Sequence, residues 1–336
     1  MQVGGVRLTN NVAVAPMSGV SDLPFRRAAL DAGAGLVVSE MVASDALALE
    51  RPDVVRRAQS DPSIRPFAVQ LAGRDLRWMA EGARLAEAAG ADIVDINMGC
   101  PARQVTGQAC GSALMRDLDQ ALRIIDATVA ATRLPVTLKM RLGWDRSCLN
   151  AADLARRAEA AGVKLFTVHG RTRNEFFTGE ADWRAIRAVV DSVRVPVIAN
   201  GDIRSLDDAR TALAQSGAAG VMIGRAAIGR PWLPGAIARA LSAGSIAIDP
   251  PQPAVQLQMA LEQYERTLAV YGEGLGVRVA RKHLAAFIDS APVDVDPAER
   301  RAARSSICGL WLPEAVREAL SAFVGGACLT AALRAA

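Results

Sequence analysis

Eight short apolar runs, rich in valine, isoleucine and leucine, recur about every thirty residues, with helical segments between them. They are Val12–Met17, Leu36–Glu40, Phe67–Leu71, Ile93–Asn97, Val136–Met140, Leu165–His169, Val195–Asn200 and Gly220–Gly224. The intervening segments, among them Leu76–Ala89, Leu118–Ala131, Ala151–Ala161, Trp183–Asp191 and Leu206–Gln215, carry alanine-rich faces at helical spacing with charged residues opposite. Strands joined through helices pair in parallel. Eight such units predict an α/β fold closed into a (β/α)8 TIM barrel rather than an open doubly wound sheet.

The alternation stops after Leu241. Gly244, Pro250, Pro251 and Pro253 interrupt helical pattern, and only a 3.6-residue period follows, over Val255–Tyr271, Val277–Asp289, Pro297–Ile307 and Glu314–Phe323. The expected organisation is a barrel over 1–243, a linker over 244–253 and a small all-helical C-terminal domain over 254–336.

Composition excludes several classes. The chain has no uninterrupted apolar run long enough to span a bilayer, and Met1–Met17 lacks the basic-then-apolar layout of a secretory signal, so a soluble, cytoplasmic protein with no membrane partner is expected. Five cysteines (Cys100, Cys110, Cys148, Cys308, Cys328) are odd in number and irregular in spacing, against a disulfide framework. With only His169 and His283, no zinc-type cluster is expected and no metal is assigned. A net charge of +4 and a pI near 9.0 suit a polyanionic partner without requiring one.

A barrel of this kind carries its active site at the C-terminal ends of its strands. Those ends are polar: Pro16-Met17-Ser18, Glu40-Met41, Gln70, Asn97 with Cys100, Lys139 with Arg141, His169 with Arg171, Asn200-Gly201-Asp202 and Gly224-Arg225. A solvated rim accounts for one or two such ends, not for nearly all of them. The loops after the seventh and eighth strands commonly bind phosphate in barrel enzymes; here glycines admit an anion to the backbone amides, and Arg225 adds charge-assisted hydrogen bonds. Pro16, Met17, Gln70, Lys139 and His169 then line a mouth suited to flavin mononucleotide, FMN, with a cation near the part of the ring that becomes anionic on reduction. Two plainer readings stand beside this one: an ion pair of Lys139 with Asp95 inside the barrel, and His169 as a satisfied core histidine.

The fourth strand runs into Asn97-Met98-Gly99-Cys100-Pro101-Ala102-Arg103-Gln104-Val105. Pro101 bars helical continuation at Cys100, so the thiol sits in a shaped loop at a strand end. A small buried loop cysteine is the plain alternative.

Taken in order, APMSGVSDLPFR (Ala15–Arg26), NMGCPARQV, LKMRLGWD (Leu138–Asp145), VHGRTR (Val168–Arg173), ANGDI (Ala199–Ile203) and IGRAAIGRPW (Ile223–Trp232) resemble the bacterial tRNA-dihydrouridine synthase family. Arg281-Lys282-His283-Leu284 is similar to that family's C-terminal signature, and the methionine before Gly-Cys-Pro with the following Ala-Arg is most like its B-type branch. Phe176-Phe177 depart from the pattern, which has a tyrosine near the second. The resemblance implies reduction of the carbon-5 to carbon-6 bond of uridine in tRNA by NADPH through FMN. Cys100 would be the general acid: a free thiol, with a pKa of about 8.5, carries its proton at neutral pH. Asn97 would bond the uracil edge, and Arg141 and Arg171 the base or phosphate.

Arg278, Arg281 and Lys282 share a helical face suited to RNA, although residues 250–336 hold nine basic and nine acidic residues. Two other readings compete: an FMN barrel oxidoreductase acting on a free pyrimidine, which needs no basic helical appendage, and a non-catalytic tRNA-binding protein, which needs no thiol loop. A phosphosugar isomerase barrel fits neither the thiol loop nor the helical appendage.

Overall fold

Eight parallel strands close into a barrel: β1 (Val12–Val14), β2 (Leu36–Ala43), β3 (Phe67–Ala72), β4 (Ile93–Met98), β5 (Val136–Arg141), β6 (Phe166–His169), β7 (Val197–Asn200) and β8 (Gly220–Ile223). This is a computed structural model, describing residues 1–59 and 61–326. Each strand pairs with its sequence neighbour, and β8 closes on β1 with Val221 opposite Val12 and Ile223 opposite Val14. Cys328 and the end of the expected helical domain lie outside the described residues.

Strand alternation sorts the side chains. Val14, Val37, Val69, Val94, Ile96, Leu138, Met140 and Val168 face the helices and join the large outer core. The inward positions are layered. At the bottom Ala13, Leu36, Ala68, Ile93, Leu165, Ile198 and Met222 pack together under a plug of Val3 and Leu8 from the N-terminal hairpin. Above them, buried Gln70, Asp95, Thr137 and Thr167 form a polar layer, and Asn97, Lys139, Arg141, His169 and Asn200 top the barrel.

Three segments differ from the sequence expectation. β2 runs on to Ala43 through a register shift between Val38 and Met41. Trp183–Asp191 forms a short 3-10 turn, Arg184–Ile186, and a single helical turn, Arg187–Val190, where adjacent β-branched valines weaken helix extension. Pro253, expected in the linker, instead opens a helix, because proline at the first helical position loses no hydrogen bond.

After β8 the apolar helix Leu233–Ala243 packs into the barrel's outer core. Four further helices, α1 (Pro253–Tyr271), α2 (Glu273–Ser290), α3 (Pro297–Gly309) and α4 (Pro313–Val324), share a separate core that includes Tyr264, Leu284, Phe287, Ile307, Leu320 and Phe323. They lean on the barrel. Gly229, at φ 72°, has no room for a side chain, because a Cβ there would run into the backbone of Ala286 and Phe287 on α2. The His283 ring stacks on Phe25 of the first barrel helix with centroids 5.3 Å apart, and Arg266 pairs with Asp31 at 3.2 Å. No helix among the described residues is long and apolar enough to cross a membrane.

His283 is buried without a hydrogen-bond partner on either ring nitrogen among the described residues, and burial, with Lys282 adding to it, pushes its pKa down to about 3. An unfolded imidazole takes up a proton near pH 6.5, so the folded state binds fewer protons between about 6.5 and 3 and loses stability as pH falls through that range. Asp22, pushed up to about 6 chiefly by burial, opposes this trend between about 6 and 4. Comparison with His283→Phe, which keeps the stack on Phe25, isolates the histidine. The wild type is expected to lose about 2–3 kcal/mol relative to the variant between pH 6.5 and 4.5 in denaturant titrations; parallel pH profiles would exclude a buried neutral His283.

Candidate active site at the mouth of the barrel

A directed chain of hydrogen bonds sets the thiol loop. Asp95 accepts from Thr137 Oγ1 at 2.6 Å and from Gln70 Nε2 at 2.7 Å. Burial raises the Asp95 pKa, while the Thr137 and Gln70 hydrogen bonds and the Lys139 charge oppose the rise. A carboxylate only accepts, so Gln70 must turn its NH2 down to Asp95 and its oxygen up. That oxygen accepts from Asn97 Nδ2 at 2.8 Å, which in turn aims Asn97 Oδ1 at the amides of Cys100, at 3.0 Å, and Gly99, at 3.2 Å. Cys100 is also held from behind: its carbonyl accepts from the Ser112 hydroxyl at 2.8 Å and the Ser112 amide at 3.1 Å.

Around the thiol the mouth is crowded with cations. Lys139 Nζ donates to Asn200 Oδ1 at 3.1 Å and makes no ion pair among the described residues; both Asp95 oxygens are engaged with Thr137 and Gln70. Burial and neighbouring Arg141 push Lys139 down to about 8, and burial and Arg171 push Arg141 down to about 10. His169 is held well below its ordinary value by burial and by Lys139, Arg141, Arg171 and Arg225, so it is neutral at pH 7. Its Nε2 faces Arg171 at 3.4 Å, which suits an acceptor. Gly201, at φ 112°, packs against that ring, and a Cβ there would sit 2.5 Å from His169 Cδ2.

Asp202 gathers the far side of the mouth. Its carboxylate accepts from buried Arg171 and from the Ala181 amide at 2.9 Å, and lies 3.5 Å from Arg225. Burial works against ionisation there, but the Arg171 and Ala181 hydrogen bonds and the nearby arginines hold its pKa below the ordinary value.

A cavity of about 750 Å³ opens between these groups, within the range for small-molecule sites. It is lined by Pro16, Met17, Gln70, Asn97, Cys100, Lys139, Arg141, His169, Asn200, Gly201, Asp202, Gly224 and Arg225, so the structure brings together nearly all the residues singled out at the strand ends.

Of the three residues expected at the substrate, Asn97 and Arg141 border the cavity while also holding structural hydrogen bonds, and Arg171 does not border it. The Asn97 amide donates one N–H to Gln70 while its oxygen accepts from the thiol loop. Arg171 does not line the cavity; its guanidinium donates to the carbonyls of Thr178, at 3.0 Å, and Gly179 and to Asp202. Arg141 donates to the carbonyls of Gly99, Thr172 and Phe176, each at 2.8 Å. Buried backbone carbonyls supplied partners that no spacing in the sequence announces.

These two arginines clamp residues 172–179 and so present Phe177, which is 55% exposed at the mouth. Its ring lies 5.4 Å from the Arg141 guanidinium and 5.3 Å from that of Arg225. The sequence signal there was only a missing hydroxyl; the aromatic wall became visible once the loop was folded. Arg278, Arg281 and Lys282 lie away from the cavity on α2. Lys282 reaches the Gly19 carbonyl at the barrel rim, Arg281 packs on Trp311, and Arg278 is exposed.

A sequence model of the family described as dihydrouridine synthase matches residues 13–304. A probable tRNA-dihydrouridine synthase of Rhodobacter capsulatus is 53% identical over 294 residues, 87% of this chain and 90% of that protein. The tRNA-dihydrouridine synthase B of Pseudomonas putida is 45% identical over 294 residues, 87% of this chain and 86% of that protein. Among solved structures, histamine dehydrogenase from Rhizobium sp. 4-9 superposes with a TM-score of 0.52 at 15% identity over 73% of this chain, and a 2-naphthoyl-CoA reductase complex with 0.57 at 13% identity over 73%. The chain spans about half of each of those two, 47% and 52%, and at such identity they share its fold alone.

The polarity of the buried chain is testable at Asn97. In Asn97→Asp two acceptor-only groups flank Gln70, which can satisfy only one of them. The expected cost is about 1–3 kcal/mol in denaturant unfolding, shrinking as pH falls because protonating the new carboxyl restores a donor. Mass-spectrometric alkylation rates at Cys100 should match wild type in this variant but rise in Asn97→Ala, which removes the loop's acceptor. A fully stable Asn97→Asp protein at pH 8 would refute the directed chain.

Proposed function

The chain belongs to the dihydrouridine synthase family, and from that premise we propose that it reduces the carbon-5 to carbon-6 double bond of uridines in tRNA, with FMN as resident cofactor and NADPH as reductant. The observation that carries the reading is Lys139: a cation without an ion pair among the described residues, sunk in the barrel mouth between a thiol loop and a cavity of about 750 Å³. A cation so placed costs stability unless an anionic or strongly polar group meets it. The chemistry of the lining fits a flavin. The amides at Gly201 and Gly224 and the Arg225 guanidinium would hold the phosphate, with Asp202 positioning Arg225 from behind and Asn200 beside them, while Pro16, Met17, Gln70, Lys139 and His169 would border the ring. Bound there, FMN would supply hydride to carbon-6 of the base and regain it from NADPH.

The chain's own groups complete the chemistry. Hydride addition at carbon-6 leaves negative charge on carbon-5 and the neighbouring carbonyl oxygen, and the Cys100 thiol gives its proton to carbon-5. The resulting thiolate faces Lys139 and Arg141, whose charges it stabilises. Neutral His169 offers a hydrogen bond without adding a further positive charge. A base reaches the thiol only when turned out of the RNA stack, at a cost of a few kcal/mol, so contacts elsewhere on the RNA must offset it. Arg278, Arg281 and Lys282 on α2 are the candidates for those contacts.

Purified protein is expected to be yellow, to release FMN on denaturation and to form dihydrouridine in unmodified tRNA when given NADPH; Arg225→Ala should weaken flavin retention. Cys100→Ala should keep its flavin and its NADPH oxidation while dihydrouridine formation falls about a hundred- to ten-thousand-fold, with Cys110→Ala close to wild type. A colourless protein that takes up no FMN would remove the flavin reading. Turnover of free uridine in preference to tRNA would favour the free-pyrimidine enzyme.

A further inference from the structure

The short loop between α3 and α4 leaves Trp311 63% and neighbouring Leu312 62% exposed, the most exposed large apolar side chains among the described residues of the helical domain. Trp311 is nevertheless fixed. The Arg281 guanidinium lies 4.5 Å above its ring and donates to the Leu310 carbonyl at 3.3 Å, bracing one face of the indole against α2. The exposed remainder is a planar apolar surface backed on one face by a guanidinium.

Its surroundings select the partner. Arg278, one turn from Arg281, is exposed and makes no ion pair among the described residues, and Lys282, beside Arg281 in the chain, reaches the Gly19 carbonyl at the barrel rim. Three cations of one helical face thus lie between the indole and the barrel rim at Gly19. Two copies of the chain meeting through this patch would set Arg278 and Arg281 of each against those of the other, which disfavours self-association. A polyanion with planar bases meets both features.

We propose that Trp311, braced by Arg281, is a stacking platform for an unpaired base of the RNA substrate, with Arg278 and Lys282 meeting the adjacent phosphates. The inference rests on the tRNA reading above and adds to it a specific, non-ionic contact remote from the thiol.

The test uses full-length wild type, Trp311→Ala, Trp311→Leu and Trp311→Phe with unmodified tRNA across a salt series. Because the side chain is exposed, all are expected to keep the wild-type thermal midpoint. The Ala and Leu variants should bind tRNA about five- to a hundred-fold more weakly, and Phe within about three-fold of wild type. The weakening should appear in KM for tRNA, with kcat and tRNA-independent NADPH oxidation unchanged. Stacking displaces no counterions, so the Ala variant should keep the wild-type slope of log affinity against log salt, whereas Arg278→Ala should lower it by about one unit. tRNA should quench more indole emission in wild type than in Trp311→Phe. Wild-type affinity in Trp311→Ala, in a protein that does bind tRNA, would overturn the platform alone. Failure of the wild type to bind tRNA would overturn the functional reading and the platform with it. A wild-type dimer dissociated by Trp311→Ala at unchanged tRNA affinity would assign the patch to self-association and likewise overturn the proposal.

Discussion

Asp95 accepts hydrogen bonds from Thr137 and Gln70 inside the closed barrel, and its inability to donate orders the polar layers above it. Gln70 and Asn97 each have one donating and one accepting end, so a single acceptor-only group at the base leaves both amides one satisfied orientation. The oxygen that emerges at the top meets the amides of Gly99 and Cys100. The thiol is positioned from within the core as well as by the proline that follows it. Burial in a low-dielectric layer makes a wrong orientation costly, which is what gives the arrangement its rigidity.

Electrostatics at the mouth divides the cations into two kinds. Arg171 is neutralised by Asp202 and has its remaining hydrogen bonds filled by loop carbonyls, so it acts as framework. Among the described residues Lys139 has a single amide oxygen as its hydrogen-bond partner, and burial and neighbouring Arg141 hold its pKa down at about 8. The imbalance leaves positive charge at the mouth. It also keeps His169 neutral, separating the roles of charge and hydrogen bond between two neighbouring strand ends.

The helical domain is a second core pressed onto the first. Where Gly229 meets the backbone of α2, even a methyl group would separate them. The His283–Phe25 stack and the Arg266–Asp31 pair hold the same seam, and Lys282 crosses it at the rim. A helical face that in sequence is merely basic is therefore docked against the barrel, with Lys282 reaching its rim.

Periodicity alone determined a great deal. Strands of a closed barrel are buried on both faces and must be short, apolar and regularly spaced, so the eight runs and their polar ends were legible, as was the change to helical period after Leu241. Alternation along β5 by itself puts Lys139 on the same face as Thr137 and Arg141, which is the inward one. Helix bounds were softer: Pro253 reads as a breaker until its place at a first turn is seen. The partners of polar side chains were not legible. Arg171 looks like a ligand for a substrate, and the fold gives it loop carbonyls and Asp202; Asn97 also carries Gln70 and the amides of the thiol loop, partners its spacing does not announce; Trp311 gives no periodic signal, and its exposure depends on where α2 delivers Arg281. Side-chain pattern follows local geometry, which a sequence writes out residue by residue. Hydrogen-bond partnership and exposure depend on which distant groups arrive at the same point, and only the closed barrel with its docked helices decides that.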